Sequence, residues 1–307
     1  MRSRRLAPFL PAAALLLTSC VSVKQLAVNR VADALAAGGD TFASDDDPEL
    51  VKQAVPFSLK LMESILAESP RHEGLLLGAC SGFTQYAVAF VQQDADALAA
   101  SDYAASEALR LRAQKLYRRG RDYGVRGLEV AYPGIAGRLA HDPKAALAVA
   151  GRKDVPLLYW TAAAWGSLIS TSKDNPAAIS ELPQVEALVD RAFALDPDWN
   201  QGALHALLIS LEMNRTGAPG NAAERARAHY ERALALSHGS QAGPLVTFAE
   251  SVAVDQQDAA AFENALNQAL AIDVDQYPKD RLANLVMQRR ARWLLSQKAD
   301  LFFETTP

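Results

Sequence analysis

The sequence predicts an all-α fold, on three observations. Alanine (59 residues) and leucine (41) fill about a third of the 307 positions, and both are strong helix formers. Aromatic residues make up 7%, and the β-branched and aromatic types that favour strands are sparse. No stretch alternates convincingly at a period of two, whereas apolar residues recur at helical spacing along most of the chain. Hydrophobic residues are 50% and charged residues 21%, which supplies a core and argues against disorder. The length allows one large domain or two ordinary ones.

The first twenty residues read as an export signal. Arg2, Arg4 and Arg5 form a positive start, and Leu6 to Leu17 supply a short apolar run of about a dozen residues, too short for a stable bilayer span. Leu17-Thr18-Ser19-Cys20 resembles the bacterial lipobox, so residues 1–19 are expected to be a lipoprotein signal peptide and Cys20 the acylated residue. Several acyl chains hold such a protein on a membrane essentially permanently. Val21 follows, and the absence of aspartate there favours the periplasmic leaflet of the outer membrane over the inner membrane. Residues 20–47 are read as a lipidated N-terminus and linker, and residues 48–307 as one all-α domain. No further membrane segment is expected, which leaves a periplasmic body on a tether.

The helices follow in order. A short helix is expected before the polar segment 38–47 (GGDTFASDDD). Asp47-Pro48-Glu49 is a helix start, with an acidic cap and proline in the first turn. Val51, Val55, Leu59, Met62 and Leu66 then recur at helical spacing until Pro70. The run from Leu75 to Val91 is apolar around most of its circumference and reads as a buried helix. Further helices are expected over residues 103–130, 155–170, 183–195, 199–213, 222–236, 243–254, 258–272 and 280–303.

Three of these helices close alike. Arg191-Ala192-Phe193-Ala194-Leu195-Asp196-Pro197, Arg232-Ala233-Leu234-Ala235-Leu236 and Gln268-Ala269-Leu270-Ala271-Ile272-Asp273 align at intervals of 41 and 36 residues. A tetratricopeptide repeat is about 34 residues long, and the loop from Asn214 to Asn221 supplies extra length in the first interval. The pattern predicts helical hairpins, at least three between residues 155 and 275, stacked in an α-solenoid with a concave surface.

Catalytic signatures are missing. There is no H-E-x-x-H, C-x-x-C, G-x-S-x-G or phosphate loop of the kinds that carry metal, redox, acyl-transfer or nucleotide chemistry. His72, His141, His205, His229 and His238 have no i, i+4 partner among themselves, so no helical metal face is expected. Asp45-Asp46-Asp47 lacks the rest of a calcium loop and reads as a helix-capping cluster. Cys80, inside an apolar stretch, reads as a small buried hydrophobe in preference to a reactive thiol. No enzyme, cofactor or metal is expected.

Two segments stand out. From Glu107 to Glu129 there are seven basic residues (Arg110, Arg112, Lys115, Arg118, Arg119, Arg121 and Arg126) against three acids. Leu109, Ala113, Leu116, Gly120, Tyr123 and Gly127 share one helix face. Each glycine costs roughly 1 kcal/mol against alanine in a helix, so something must pack closely there. The basic faces read either as solvated surface or as a docking face for an acidic partner or a carboxylate ligand. In the second segment Tyr159, Trp160 and Trp165 sit among alanines, with Lys173 just beyond; these aromatics read as core or as a ligand cleft. Arg289-Arg290-Ala291-Arg292-Trp293 is another basic cluster beside an aromatic. Candidate ligand- or partner-contacting residues are therefore Arg118, Arg121, Tyr123, Trp160, Trp165, Lys173 and Arg290. Net charge is −4, and −7 without the first nineteen residues, which gives no reason to expect nucleic acid as the main partner.

The blocks LYRRGRDYGVRGLE, DVPLLYWTAAAWGSLIS with SKD following, VEALVDRAFALDPDWNQGALHALLISLE, ERARAHYERALALSHGSQAGPLVTFAESVAV and RLANLVMQRRARWLL keep their order from about residue 102 to 303. Together with the lipobox, they resemble TatT, the T component associated with tripartite ATP-independent periplasmic (TRAP) transporters. The resemblance implies a tetratricopeptide-like lipoprotein that forms a homotrimer and binds the transporter's P component, the periplasmic solute-binding protein. It also implies passage of hydrophobic or carboxylate-bearing ligands. The alternative is a scaffold lipoprotein for assembling envelope protein complexes.

Overall fold

The computed structural model describes residues 41–215 and 217–303 together with residues 30, 32 and 33. Cys20 and most of the short helix expected before residue 38 lie outside the described residues. The described residues are predominantly helical, and no strand occurs among them.

Helix α1, Pro48–Glu68, begins as its sequence dictates: the Asp47 carboxylate accepts from the N–H groups of Glu49 and Leu50, each at 3.0 Å, satisfying donors that an uncapped helix start leaves orphaned. Helix α2 runs from Glu73 to Leu98, well past the expected end at Val91, because a π-helical turn over Ala87–Gln92 carries it onward. By length and composition α2 is apolar enough to cross a membrane. However, 56% of its most apolar window is buried inside the fold, where it packs on α1, on α3 (Tyr103–Ala131) and on α6 (Val155–Ser170). It is a core helix.

Two short helices between α3 and α6, α4 (Ile135–His141) and α5 (Pro143–Leu147), were not legible as periodic segments; Gly134 starts α4 with φ of 81°. Then follow α7 (Pro176–Ile179), α8 (Leu182–Leu195), α9 (Trp199–Asn214) and α10 (Ala222–Ser237). Helix α11 (Ala242–Phe248) continues into a second π-helical turn at Ala249–Ala253, ahead of α12 (Ala259–Ala271), α13 (Arg281–Ser296) and α14 (Lys298–Leu301). From residue 155 onward consecutive helices lie against each other in pairs, α6 with α8, α9 with α10 and α11 with α12, and α13 packs on α11 and α12.

The regular part of α9 starts later than the pattern suggested. Asn200, Gln201 and Gly202 have φ of 48°, 55° and 90°, so the chain enters this helix through left-handed backbone. Only glycine fits the last position: a Cβ on Gly202 would lie 3.2 Å from the Cα of Ala233. Ala233 is one of the three alanines that align the helix closures, and its small side chain admits this contact between α9 and α10.

Helix α3 is packed by absence. Gly120, Gly124 and Gly127 are all buried. A Cβ at Gly120 would sit 2.7 Å from Thr84 Oγ1 and 3.3 Å from Ala164 Cβ, and one at Gly124 would sit 3.0 Å from Cys80 Sγ and from Thr161 Cβ. The glycine stripe therefore lets α2 and α6 close on α3 from both sides. Two of its glycines were on the expected face; Gly124 is the third. Cys80 is fully buried in this contact, and burial pushes its thiol up to about 12, so it behaves as a small core residue.

Candidate functional site

With one side of α3 packed, the other carries the basic residues, and the structure divides them. Arg119 reaches over the Phe83 ring and lies 3.8 Å from Glu63. Arg126 donates to the Pro70 carbonyl at 3.0 Å, and Arg110 pairs with Glu107 one turn back. Arg112 lies over the Tyr86 ring at 5.9 Å. Lys115 and Arg118 are exposed and have no ion-pair partner among the described residues. With exposed Leu111 they form one outward row on α3. The Gln114 amide donates to the Thr171 carbonyl, which fixes the loop after α6 beside this row. That loop carries Lys173, exposed and likewise without an ion-pair partner among the described residues. Free cations around an exposed leucine, on a helix held rigid from behind, make this the candidate docking face.

The remaining candidates fall elsewhere. Arg121 is half-buried, paired with Asp122 at 2.8 Å and Glu181 at 3.4 Å, and lies over the Trp165 ring at 5.4 Å. Trp165 is 8% exposed and donates its indole N–H to Glu181 at 2.7 Å. This group locks α3 and α6 to the start of α8. The Tyr123 hydroxyl donates to Glu63 at 3.1 Å and its ring stacks on Phe83; burial and the adjacent carboxylate push it up to about 12. Trp160 meets Tyr159 edge-on at 5.0 Å, and Tyr159 in turn packs on Trp199, so Trp160 and Trp165 do not share a cleft.

Arg290 is tied in. Its side chain is 12% exposed, bonds to Asp96 at 2.7 Å and to Glu250, and lies 4.1 Å over the Trp293 ring. Burial opposes its charge, but Glu250 and Asp96 outweigh that and raise its pKa. Arg289 beside it contacts Gln93 at 3.1 Å, Asp94 at 3.5 Å and the carbonyl of Ala89. Ala89 lies in the first π-helical turn and Glu250 in the second, so two adjacent arginines of α13 join these two π-helical turns. The hollow left beside them is only about 80 Å³. A larger one, about 420 Å³, lies between the ends of α10 and α12, lined by Leu234, Leu245, Ile272, Asp273 and Tyr277 among others.

Sequence spacing missed one pair. His205 on α9 and His229 on α10 bring their Nδ1 atoms within 2.8 Å, both against Phe193. Burial and the neighbouring His229 lower His205 to about 4, and burial lowers His229 as well. The contact is between helices, so no i, i+4 search finds it. Among the described residues no group of three or more His, Cys, Asp or Glu side chains is placed to hold a metal ion.

An uncharacterised protein of Treponema pallidum is 29% identical over 267 residues, covering 86% of this chain and 83% of that protein. The family described as TRAP transporter T-component matches residues 44–302, from the cap of α1 to the end of α14, and the chain belongs to that family.

Proposed function

We propose that the protein is a non-catalytic adaptor, lipid-anchored through Cys20 on the periplasmic side of the outer membrane, that associates with the solute-binding P component of a TRAP-type transporter. The pairs α6/α8, α9/α10 and α11/α12 support reading the body as tetratricopeptide-like hairpins in a solenoid, a form that displays long binding surfaces. Homotrimer formation and transfer of small hydrophobic or carboxylate-bearing ligands belong to the same reading. The observation that carries it is the row Leu111, Lys115, Arg118 with Lys173, cationic and free of ion pairs among the described residues on a body of negative net charge. Such a row fits an acidic patch on a partner.

The test is affinity for the cognate solute-binding protein, measured by calorimetry. Lys115→Glu with Arg118→Glu is expected to weaken binding at least about tenfold, roughly 1.4 kcal/mol. The deficit should shrink as salt rises, since screening already weakens the native contact. The melting temperature should stay put, because neither side chain holds another element. Unchanged binding at low salt overturns this docking face. Absence of any binding by the unaltered chain overturns the adaptor reading and leaves the envelope scaffold.

A further inference from the structure

Helix α1 is apolar over a wider arc than its neighbours cover. Val51, Leu59 and Leu66 are buried against the rest of the fold. Leu50, Ala54, Phe57 and Leu61 follow at spacings of 4, 3 and 4 along the adjoining arc, which places them on one stripe. Phe57 is 74% exposed, Leu50 56% and Leu61 36%. Exposed leucines scattered singly need no explanation, but a contiguous row with a phenylalanine at its centre marks a surface that meets something apolar.

The chain's own path says what is close. Ala32 is buried in the same core cluster as Val51, Leu59 and Leu66, and Asp33 lies 3.2 Å from His72, at the corner between α1 and α2. The leader thus joins the body beside α1, twelve residues after Cys20. Even fully extended, twelve residues span at most about 40 Å. If Cys20 carries acyl chains, α1 is held against the bilayer surface at high effective concentration. Gln53 and Lys60, the latter exposed and paired with Glu63 one turn on, flank the stripe's outer edge and suit a lipid headgroup layer, where a lysine stem lies along apolar surface with its charge in water.

We infer that the exposed stripe of α1, centred on Phe57, seats on the phospholipid surface to which the N-terminus is tethered, and orients the body on the membrane. This rests on the lipid-anchor reading. A nitroxide placed by Phe57→Cys in the full acylated chain tests it, since buried Cys80 stays unlabelled and Cys20 is blocked by lipid. In vesicles of phosphatidylethanolamine and phosphatidylglycerol, collision with oxygen should rise several-fold over collision with a water-soluble nickel chelate. The same label by Ala67→Cys, on the polar side of α1, should stay in water. A second label by Leu50→Cys, with circular dichroism on each variant, guards against a misfolded chain. A water-exposed residue 57 on vesicles overturns the inference. So does spin–spin broadening from a second copy, or protection that appears only when the solute-binding protein is added. Palmitate incorporation into the same preparation separates the failures. An acylated chain with residue 57 in water refutes the membrane seat alone, whereas an unacylated chain refutes the anchor and the seat together.

Discussion

Helices α3 and α13 both carry dense arginine, and the fold uses them in opposite ways. Helix α3 is held by its lack of side chains: three glycines let α2 and α6 close on it, and two of its cations, Lys115 and Arg118, are left for the outside. Helix α13 is held by its cations: Arg289 and Arg290 reach Asp94, Asp96 and Glu250 on α2 and in the second π-helical turn. What decides between the two fates is the opposing surface. Carboxylates receive both Arg289 and Arg290 of α13, whereas on α3 Glu63 and Glu181 reach only Arg119 and Arg121, and the outward row with Lys115 and Arg118 faces no carboxylate among the described residues. A basic run is a docking surface only where the fold has supplied no internal partner.

The comparison predicts how each helix breaks. The largest effect belongs to α3. Gly124→Val should bring the new side chain against Thr161 and Cys80, and overpacking of this kind should cost about 3 kcal/mol, well above the roughly 0.4 kcal/mol of helix propensity that a β-branched valine gains over glycine. In a thermal melt that loss lowers the midpoint by about 6–12 °C. A Cβ added at Gly137 on α4 would meet nothing within 4 Å, so Gly137→Ala serves as the neutral control. A melt of Gly124→Val at the unaltered temperature would mean that α3 is not packed by glycine.

A smaller effect belongs to α13. Arg290→Ala strands Asp96, whose pKa burial already raises against the pull of Arg290, and leaves Glu250 unpaired. Breaking a fully buried pair costs about 3–5 kcal/mol; these carboxylates are partly in water, so about 2 kcal/mol is expected by urea unfolding. Arg118→Ala on α3, in the same assay, should fall within about 0.5 kcal/mol of the unaltered chain. Equal losses from the two would erase the contrast between the helices.

Acid sharpens the contrast least strongly. The pair His205–His229 lies between α9 and α10, whereas α3 carries no histidine. Both pKa values are lowered in the folded state, so the unfolded chain binds more protons as pH falls from about 6.5 toward 4. The pair's contribution to stability is present above that window and lost within it. At pH 5 the loss should be about 1 kcal/mol, and hydrogen exchange should speed up in α10 before it does in α3. His205→Phe with His229→Leu should flatten the difference between pH 7 and pH 5; an unchanged slope would discount the pair.

Much of the fold was legible because helix periodicity and capping are local. Asp47 with Pro48 starts α1 as read, and the pattern of α3 identifies its packed face down to Gly120 and Gly127. What escaped is set by partners distant in sequence. The three free cations of the docking row look no different from Arg121 or Arg290 in the sequence, because the partners of those arginines, Glu181, Glu250 and Asp96, are 40 to 194 positions away. The short helices α4 and α5 are below the length at which periodicity is readable. The π-helical turns left no compositional mark, and the left-handed entry to α9 required knowing that Gly202 presses on Ala233.

Those wide turns have a consequence for chain length. A π-helical turn holds one residue more than the α-helical path, so it rotates everything after it by about 100° around the helix axis. In α2 the residues after the turn are Asp94 and Asp96, the carboxylates that receive α13. Deleting one residue between Ala87 and Gln92 would keep every charge in the sequence and point these two away from Arg289 and Arg290. Closure between the N-terminal and C-terminal parts of this molecule is therefore a matter of helix phase: a single-residue gap here would do to it what no surface substitution can.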